Sequence, residues 1–518
     1  MSERVAAPTE TRIAKWFGFI LMCLGMFMAI LDIQVVATSL PAIQDALAIS
    51  RDAMSWIQTA YLIAEIIAIP LTGWLTRVLT LRWLFVTAIS LFTLASVGCA
   101  FSGSLSTLVS FRVIQGFAGG TLIPAVFSAV FLLFPIRSHP AATTTAGIMA
   151  VLAPTVGPVV GGWITETWSW HWLFLINVVP GVIAAAATPF LLPRASPRLA
   201  NLATLDGISL ALMAVSLASL EIGLKQAPHD GWLSPLCSIL FLLSAAAATG
   251  FVVRTLKAEH PVVELATLKN SSFAIGCALS FCLGVGLFGS VYLMPVFLAY
   301  VRHHDAFEIG TVMLVTGVAQ LATAPIAGAL ESRFDPRWLS AAGFGLFAVG
   351  LGCSAFQSRV ADFDEMFWPQ VLRGVAIMFC LLPPTRLALG ALAEAEVPDA
   401  SGLFNLMRNL GGAIGIAMID TILYGRSGGH AADLRDRLIA GDITAAQAIG
   451  LDLKLFTHRP PDVSEATVEA YLRPMVEKAA FALSTNEAWA LLTAAALFGL
   501  LLVPFAGPPR AERGASEH

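Results

Sequence analysis

The stretch that organises this chain reads PLTGWL at residues 70–75 and RWL at residues 82–84. It returns 255 residues later as PIAGAL at residues 325–330 and RWL at residues 337–339. Pro, Gly, Arg and Trp all recur in register, which makes chance similarity between two apolar segments the weaker explanation. Internal repetition at this distance indicates a molecule built from two related halves.

A second repeat supports the same division. VIQG at residues 113–116 returns 258 residues later as VLRG at residues 371–374, and Pro124 and Pro383 follow them. Both repeats occupy equivalent places within a bundle of six helices. The chain is therefore expected to contain two six-helix halves in parallel orientation, related by an axis along the membrane normal.

Composition identifies the environment of these halves. Of the 518 residues, 57% are hydrophobic and 12% are charged, whereas soluble domains average about 25% charged residues. The mean hydropathy is +0.78, which predicts an all-α integral membrane protein with many spans. A net charge of −4 without a run of Lys or Arg argues against a nucleic-acid binder.

Apolar runs of 18 or more residues place the spans. The fourteen predicted spans lie near residues 16–38, 54–75, 83–101, 106–133, 141–164, 173–192, 207–224, 233–253, 272–300, 309–330, 338–355, 367–390, 403–424 and 488–505. The predicted segments are an N-terminus at 1–15, an N-terminal half at 16–192, a linker with spans 7 and 8 at 193–270, a C-terminal half at 271–505 and a tail at 506–518.

One segment has the charged composition of a soluble region. Residues 426–487 carry 16 charges and fall between the last two spans, so we expect a periplasmic loop or a small helical lobe there. Ser464 is a candidate cap for one helix that continues through Leu472, and residues 433–438 are expected to form a second, shorter helix.

Orientation follows from Lys and Arg, which concentrate in cytoplasmic loops. The loops on one side hold seventeen of these residues, and the short loops on the other side hold four. Both termini are therefore predicted to be cytoplasmic.

Several classes of chemistry are not supported by the sequence. The seven cysteines lie in apolar stretches without a CxxC pattern, which is typical of core thiols and of neither disulfides nor a metal site. There is no Gly-rich phosphate-binding loop, so an ATP-driven pump is not indicated. We expect no enzyme activity, no metal and no cofactor, with an ion gradient as the energy source.

Ionisable side chains inside spans are costly and usually functional. The predicted spans contain Asp32, Glu65, Arg112, Glu221, Arg373 and Asp420. At about 1.5 Å per residue through a core of about 30 Å, Asp32 and Arg112 both fall in the outer third, where spans 1 and 4 can pair them. The same arithmetic suggests a related pair between Arg373 and Asp420.

Glu65 falls near the midplane, and no basic residue is predicted at its level. Burial without a partner favours the protonated form of a carboxyl group, which is what exchange of a substrate for a proton requires. We therefore assign proton coupling to Glu65 and Asp32, with Arg112 setting the ionisation of Asp32. The alternative is that these acids only hold neighbouring helices together.

Span 5 is unusually rich in Gly and Pro, with the sequence APTVGPVVGG at residues 153–162. Proline removes a backbone hydrogen bond from a helix, and small residues spaced by four let a neighbouring helix approach closely. Gly157, Pro158, Gly161 and Gly162 are therefore candidates for a hinge or a seal.

These segments resemble the signatures of a known family. LD at 31–32 with LP at 40–41 matches its span-1 signature, and Arg112 with Gln115 and Gly116 matches its span-4 signature. GPxxGG at 157–162 matches its antiporter motif. Over nearly its full length, the chain is identified as a member of the fourteen-span drug:proton antiporters of the major facilitator superfamily, of the EmrB/QacA type.

The resemblance implies a major facilitator fold and proton-driven export of hydrophobic, chemically diverse small molecules such as drugs. It implies the lipid bilayer as the surroundings and a long outer loop before the last span. A periplasmic adaptor similar to EmrA and an outer-membrane channel are implied as partners, in a Gram-negative host.

Two other functions stay open, namely a dedicated exporter of one metabolite and a membrane sensor that does not transport. The chain also departs from the superfamily pattern between spans 2 and 3. Arg77 and Thr80 stand where that pattern has an acid and a second Gly, so the inner latch attributed to the acid lacks its carboxylate. Glu65 lies outside the family pattern.

Overall fold

The computed structural model describes residues 12–200, 205–259, 261–390, 392–453 and 465–507. Every regular element within these ranges is a helix, which confirms the all-α class. Thirteen of the described helical segments are long and apolar enough to cross a membrane. Twelve carry one span each, and Met54–Ala100 carries two, so the fourteen predicted spans are present.

We number the helices by span. The first seven are α1 (Arg12–Leu47), α2 and α3 (51–79 and 81–100, the two parts of Arg51–Ala100), α4 (Leu105–Leu133), α5 (His139–Thr167), α6 (Val178–Leu191, after a short turn at Trp172–Leu175) and α7 (Gly207–Asp230). The others are α8 (Pro235–Lys257), α9 (Ser271–Phe297), α10 (Ala306–Glu331), α11 (Pro336–Cys353), α12 (Phe363–Leu389), α13 (Val397–Ile439) and α14 (Glu465–Leu502).

The junction of α2 and α3 is a single residue. Thr80 has φ 69° and ψ 157°, a conformation outside the helical region, and helix continues on both sides of it. Such a conformation is almost restricted to glycine. Arg77 and Arg82, which were expected in an inner loop, therefore lie on helices.

The two halves pack in the same way. Helix α1 lies against α5 in the first half as α9 lies against α13 in the second. Helix α4 packs on α2 and α3, and α12 packs on α10 and α11. The halves meet along two seams, one between α5 and α10 and the other between α2 and α13.

The inserted helices α7 and α8 pack against each other, and α7 also contacts both α2 and α13. Lys225 of α7 donates hydrogen bonds from Nζ to Ser55 Oγ at 2.8 Å and to Thr59 Oγ1 at 2.6 Å. The insert is thereby attached beside the seam between α2 and α13.

An even number of spans puts both chain ends on one side, which we call the terminal face; the opposite side is the lobe face. At the terminal face Arg77 of α2 forms an ion pair with Asp399 in the first turn of α13 and donates to the Pro261 carbonyl at 3.1 Å. Asp399 is buried. Gly73 lies directly against Asp399, so a Cβ at that position would collide with it. We call this contact the clasp.

Helices α13 and α14 have 43 and 38 residues, about twice the 20 residues that a span needs. They extend together beyond the lobe face, where Glu487 pairs with Arg426 and lies 3.0 Å from His430 Nε2. The predicted separate helix at 433–438 is wrong, because those residues are the continuous end of α13. Ser464 lies outside the described residues.

The end of this pair carries a short helix, Ile443–Ile449, whose first turn is capped by Asp442 Oδ1 accepting from Thr444 N at 2.8 Å. A small apolar core joins it to the long helices, with Leu434, Ile449 and Val476 buried. This lobe is therefore a helical extension with a core of its own.

Candidate functional site

The Asp32 carboxylate is the centre of a buried polar network in the first half. It pairs with Arg112 Nη1 of α4, and neither side chain has exposed surface. The depth argument placed these two residues together, and the structure does bring them together. Because both charges are out of water, each depends on the other for its solvation.

Two amides complete the network. Gln115 Nε2 and Asn177 Nδ2 both donate to Asp32 Oδ1 at 2.9 Å. Gln115 also accepts from Arg112 Nη1 at 2.8 Å, so it links the acid to the base. The carboxylate thus ties α1 to α4 and to the start of α6.

Arg112 is fixed from its other side by α2. Its Nε donates to the Ile57 carbonyl at 3.1 Å, and its guanidinium lies 4.2 Å from the centre of the Tyr61 ring. Gly116, in the next turn of α4, lies against the Tyr61 carbonyl, where a Cβ would collide. The predicted span-4 motif therefore holds the Arg112 guanidinium in place and lets α2 pack closely against α4.

Glu65 lies on α2, near the seam with the second half, and 4% of it is exposed. Among the described residues its carboxylate accepts no hydrogen bond. The charges that act on it include Arg112, Arg408 of α13 and Glu221 of α7. Glu65 is therefore a buried acid where the first half, the second half and the insert meet.

The expectation that no basic residue in a span lies near Glu65 is wrong. Arg408 was counted among the inner-loop residues, but α13 begins at Val397, which puts Arg408 about 16 Å into the helix. It is buried, and its Nη2 donates to Asn405 Oδ1 at 2.5 Å. A carboxylate of the first half thus faces a guanidinium of the second.

The predicted pair between Arg373 and Asp420 is also wrong. Asp420 accepts from Tyr292 Oη at 2.6 Å. Arg373 contacts Met294 Sδ at 3.9 Å and lies over the Trp489 ring at 4.7 Å. Helices α12 and α13 both pack mainly against α9 and contact each other only slightly, so the two charges do not meet.

The Gly and Pro residues of α5 lie at contacts with α1. Gly157 is packed against Gln34, where a Cβ would collide. The Gly161 carbonyl accepts from Ser39 Oγ at 3.4 Å. Pro158 is buried inside the helix and Gly162 is half-buried. The motif lets α1 and α5 lie in close contact, and its part as a hinge stays a prediction.

Two cavities lie in the membrane-spanning region. One, of about 50 Å³, is enclosed by α5, α9, α10 and α12 and is lined by Arg373, Gln370 and Gln320 among others. The second, of about 600 Å³, lies between α7, α8 and α13, and its lining is almost entirely apolar, with Trp232 and Met418 among the lining residues.

Sequence reasoning missed three residues of the first-half site and its seam. Asn177 was not among the expected site residues, although an amide at the start of a span is a polar signal. Tyr61 carries no charge and gave no signal. Pro398 indicates an earlier start for span 13, because proline is common in the first turn of a helix. A span that begins there would have placed Arg408 well inside the membrane.

The sequence profile of the Major Facilitator Superfamily matches residues 22–415 and 276–514, two overlapping stretches that cover most of the chain. The colistin resistance protein EmrB of Acinetobacter baumannii is 39% identical over 80% of this chain and 81% of its own length. The multidrug export protein EmrB of Escherichia coli K12 is 30% identical over 95% of each chain.

A solved structure has a similar fold. The human organic anion transporter MFSD10 superposes with a TM-score of 0.60 over 94% of this chain and 99% of that chain, at 12% identity. At such low identity the likeness concerns the fold alone, and it confirms the predicted major facilitator architecture. The chain belongs to the Major Facilitator Superfamily and, within it, to the EmrB-type proteins.

Proposed function

We propose that this protein exports hydrophobic or amphipathic small molecules, such as drugs, by alternating access in exchange for protons. Relatives at 30–39% identity are named as a multidrug export protein and a colistin resistance protein. The observation that carries the coupling is Glu65, a buried acid of the first half, opposite Arg408 of the second half.

Protonation of Glu65 would act directly on the seam between the halves. An ionised Glu65 attracts Arg408 across α2 and α13, and in a buried setting this attraction is stronger than in water. A proton on Glu65 removes the attraction and leaves Arg408 without an anion. Occupancy by a proton thereby biases the contact that opens and closes during alternating access.

Asp32 is the second coupling residue in this proposal. Its carboxylate accepts from Arg112, Gln115 and Asn177, so a proton there would break the contact with Arg112 and loosen α1 from α4. Because Asp32 has almost no exposed surface in this structure, it exchanges its proton in another conformation of the cycle.

The surroundings follow from the same proposal. With Arg408 placed inside α13, sixteen of the seventeen basic residues remain on the terminal side, against four on the other side. This bias supports an inner-membrane protein with both termini in the cytoplasm. The lobe would then lie in the periplasm, where it offers a helical surface to an EmrA-like adaptor that leads to an outer-membrane channel. The proton gradient supplies the energy without a cofactor.

The test is accumulation of a fluorescent drug in energised inverted vesicles, whose cytoplasmic face is outside, that contain the wild type, Glu65→Gln or Asp32→Asn. We expect gradient-driven transport in the wild type and its loss in both variants, because neither amide takes up a proton. Glu166→Gln is the matched control, since it removes an exposed carboxylate from α5 and should transport normally.

Two results would contradict the proposal. Transport that is the same with and without an imposed proton gradient would exclude exchange for protons. Gradient-driven transport that survives both Glu65→Gln and Asp32→Asn would show that these carboxylates are structural.

A further inference from the structure

The cavity of about 50 Å³ lies on a seam between the halves. Helix α5 of the first half lines it with Pro154 and Thr155, and α9, α10 and α12 of the second half enclose the rest. A single water molecule needs about 10–15 Å³ of such space. The cavity therefore admits a group of roughly three or four heavy atoms.

The polar atoms that line this cavity lack partners. Arg373 is 2% exposed, its Nε makes no hydrogen bond, and no carboxylate pairs with it among the described residues. Gln370 is fully buried and accepts from Thr316 Oγ1 at 3.0 Å, which leaves its Nε2 as a donor without an acceptor. The Gln320 carbonyl oxygen also has no donor.

Buried polar groups in folded proteins are almost always hydrogen-bonded, and buried charges are almost always paired. The contacts of Arg373 with Met294 and with the Trp489 ring carry no negative charge that would neutralise it. The cavity thus presents one uncompensated positive charge and an additional amide donor within otherwise apolar walls.

The sequence repeat relates this cavity to the Asp32 network. The 258-residue offset between α4 and α12 pairs Arg112 with Gln370 and Gln115 with Arg373. The second half therefore keeps an Arg and a Gln at the equivalent positions, in exchanged order. Helix α9, which packs on α13 as α1 packs on α5, lines the cavity with Ser290, whereas α1 brings the carboxylate of Asp32 to Arg112.

Packing supports this equivalence. In the first half Gly116 lies against the Tyr61 carbonyl, and in the second Gly374 lies against the Thr316 carbonyl. Tyr61 and Thr316 are 255 residues apart, which is the offset of the first repeat. The helices that carry the two networks are therefore docked in the same register.

We propose that this cavity binds a single monoanionic group of the size of a carboxylate beside Arg373, as the Asp32 carboxylate lies beside Arg112 in the first half. Arg373 supplies the charge, and the Gln370 amide supplies a second hydrogen bond. A water beside the anion supplies the donor that Gln320 lacks. The anion is either the carboxylate of a transported molecule or a free small ion such as chloride.

This inference deepens the proposed function and rests on it only for the link to transport. Because α5 belongs to one half and Arg373 to the other, an anion bound here contacts both sides of the seam. Binding itself is measured without transport, so the two proposals fail separately.

The test is titration of the purified full-length protein with acetate and with chloride, in a buffer whose own anions are too large for the cavity. Calorimetry on the wild type is expected to show saturable binding. Ser290→Asp should abolish it or weaken it at least ~10-fold, because its carboxylate occupies the site. Ser290→Ala changes the same position without a charge and without filling the cavity, and should bind as the wild type does.

A second substitution guards against misfolding. Gln370→Glu is isosteric and places a carboxylate within the cavity, so it should also lose anion binding while the thermal unfolding temperature is kept or raised. Arg386→Met removes an arginine from the same helix outside the cavity and should bind normally. Acetate that competes with the transported drug identifies a substrate carboxylate, and chloride binding without competition identifies a resident ion.

The proposal is overturned if the wild type binds neither acetate nor chloride. It is also overturned if Ser290→Asp and Gln370→Glu both bind these anions with the affinity of the wild type. If the anions bind as expected but efflux of the drug is absent, the site stands and the proposed function fails.

Discussion

Asp32 is a carboxylate with almost no exposed surface, and Arg112 is the cation it contacts among the described residues. Taking both charges out of water costs several kcal/mol per ion, and the pair recovers this only when both partners are present. The two side chains should therefore be strongly coupled in stability.

A double-mutant cycle measures that coupling. Arg112→Met should lower the free energy of unfolding by about 3–5 kcal/mol, because it leaves Asp32 buried without a cation. Asp32→Asn combined with Arg112→Met should cost less than the sum of the single changes. Thermal unfolding in detergent provides the comparison. Additive costs would mean that the two residues do not stabilise each other.

Thr80 has a backbone conformation that is unfavourable for a residue with a branched side chain. Non-glycine residues at such dihedral angles cost about 1–3 kcal/mol, and the Thr80 hydroxyl is also buried without a partner. The superfamily pattern has Gly at this position. The conformation required there has thus been kept although the glycine has been replaced.

Thr80→Gly should therefore raise the unfolding temperature, with a gain of about 1 kcal/mol after the flexibility of glycine is taken into account. Thr76→Gly is the matched control. Thr76 lies inside α2, where its hydroxyl bonds to the Thr72 carbonyl at 2.7 Å, so glycine should lower the unfolding temperature. A lower temperature for Thr80→Gly would show that the turn is not strained.

At the scale of elements, the sequence predicts the number and the approximate positions of the spans, because both depend on long apolar runs. All fourteen spans were placed, because each run far exceeds the length of a soluble core helix. Helix ends were placed less well. Starting α13 at residue 403 rather than at Val397 hid Arg408, and the continuous end of α13 was divided into a loop and a separate helix.

The sequence predicts a contact between two helices only where the depth of their residues in the membrane is enough to identify the partners. Asp32 and Arg112 meet because their helices are neighbours and their depths agree. Arg373 and Asp420 also agree in depth, but their helices pack mainly against α9 and only slightly against each other, and no property of a single sequence reveals that arrangement. The residues that complete the first-half site, Asn177 and Tyr61, are neutral and gave little signal.

At the scale of the whole molecule, the clasp between Arg77 and Asp399 joins the halves at the terminal face. The base of this ion pair lies on α2, where the superfamily pattern has an acid, and the acid lies on α13. The sequence indicated that the latch lacks its carboxylate, and the structure shows that the carboxylate is supplied by the other half. The partner acid is 322 residues away, too far along the chain for a local pattern to reveal it.

Loosening the clasp should open the terminal face. We expect Arg77→Gln to raise the rate at which a maleimide labels Ser401→Cys, a buried position on α13, in a background without other cysteines. Arg77 is 38% exposed, so the effect should be about 1 kcal/mol, or roughly five-fold in rate.

Gly73→Ala should raise the labelling as well, since its Cβ would displace Asp399. Arg82→Gln removes a neighbouring arginine that lies over Trp83 and should leave the rate unchanged. Equal labelling in the wild type, Arg77→Gln and Gly73→Ala would mean that the clasp does not hold the face closed.

Helix α13 runs without a break from the clasp at Asp399, past Arg408, to Ile439 in the lobe. A straight rod pivoting at one end acts as a lever, and its far end moves in proportion to its distance from the pivot. Ile439 lies roughly four times as far from Asp399 as Arg408 does. A small tilt of α13 at the level of Glu65 therefore becomes a displacement of the lobe about four times as large.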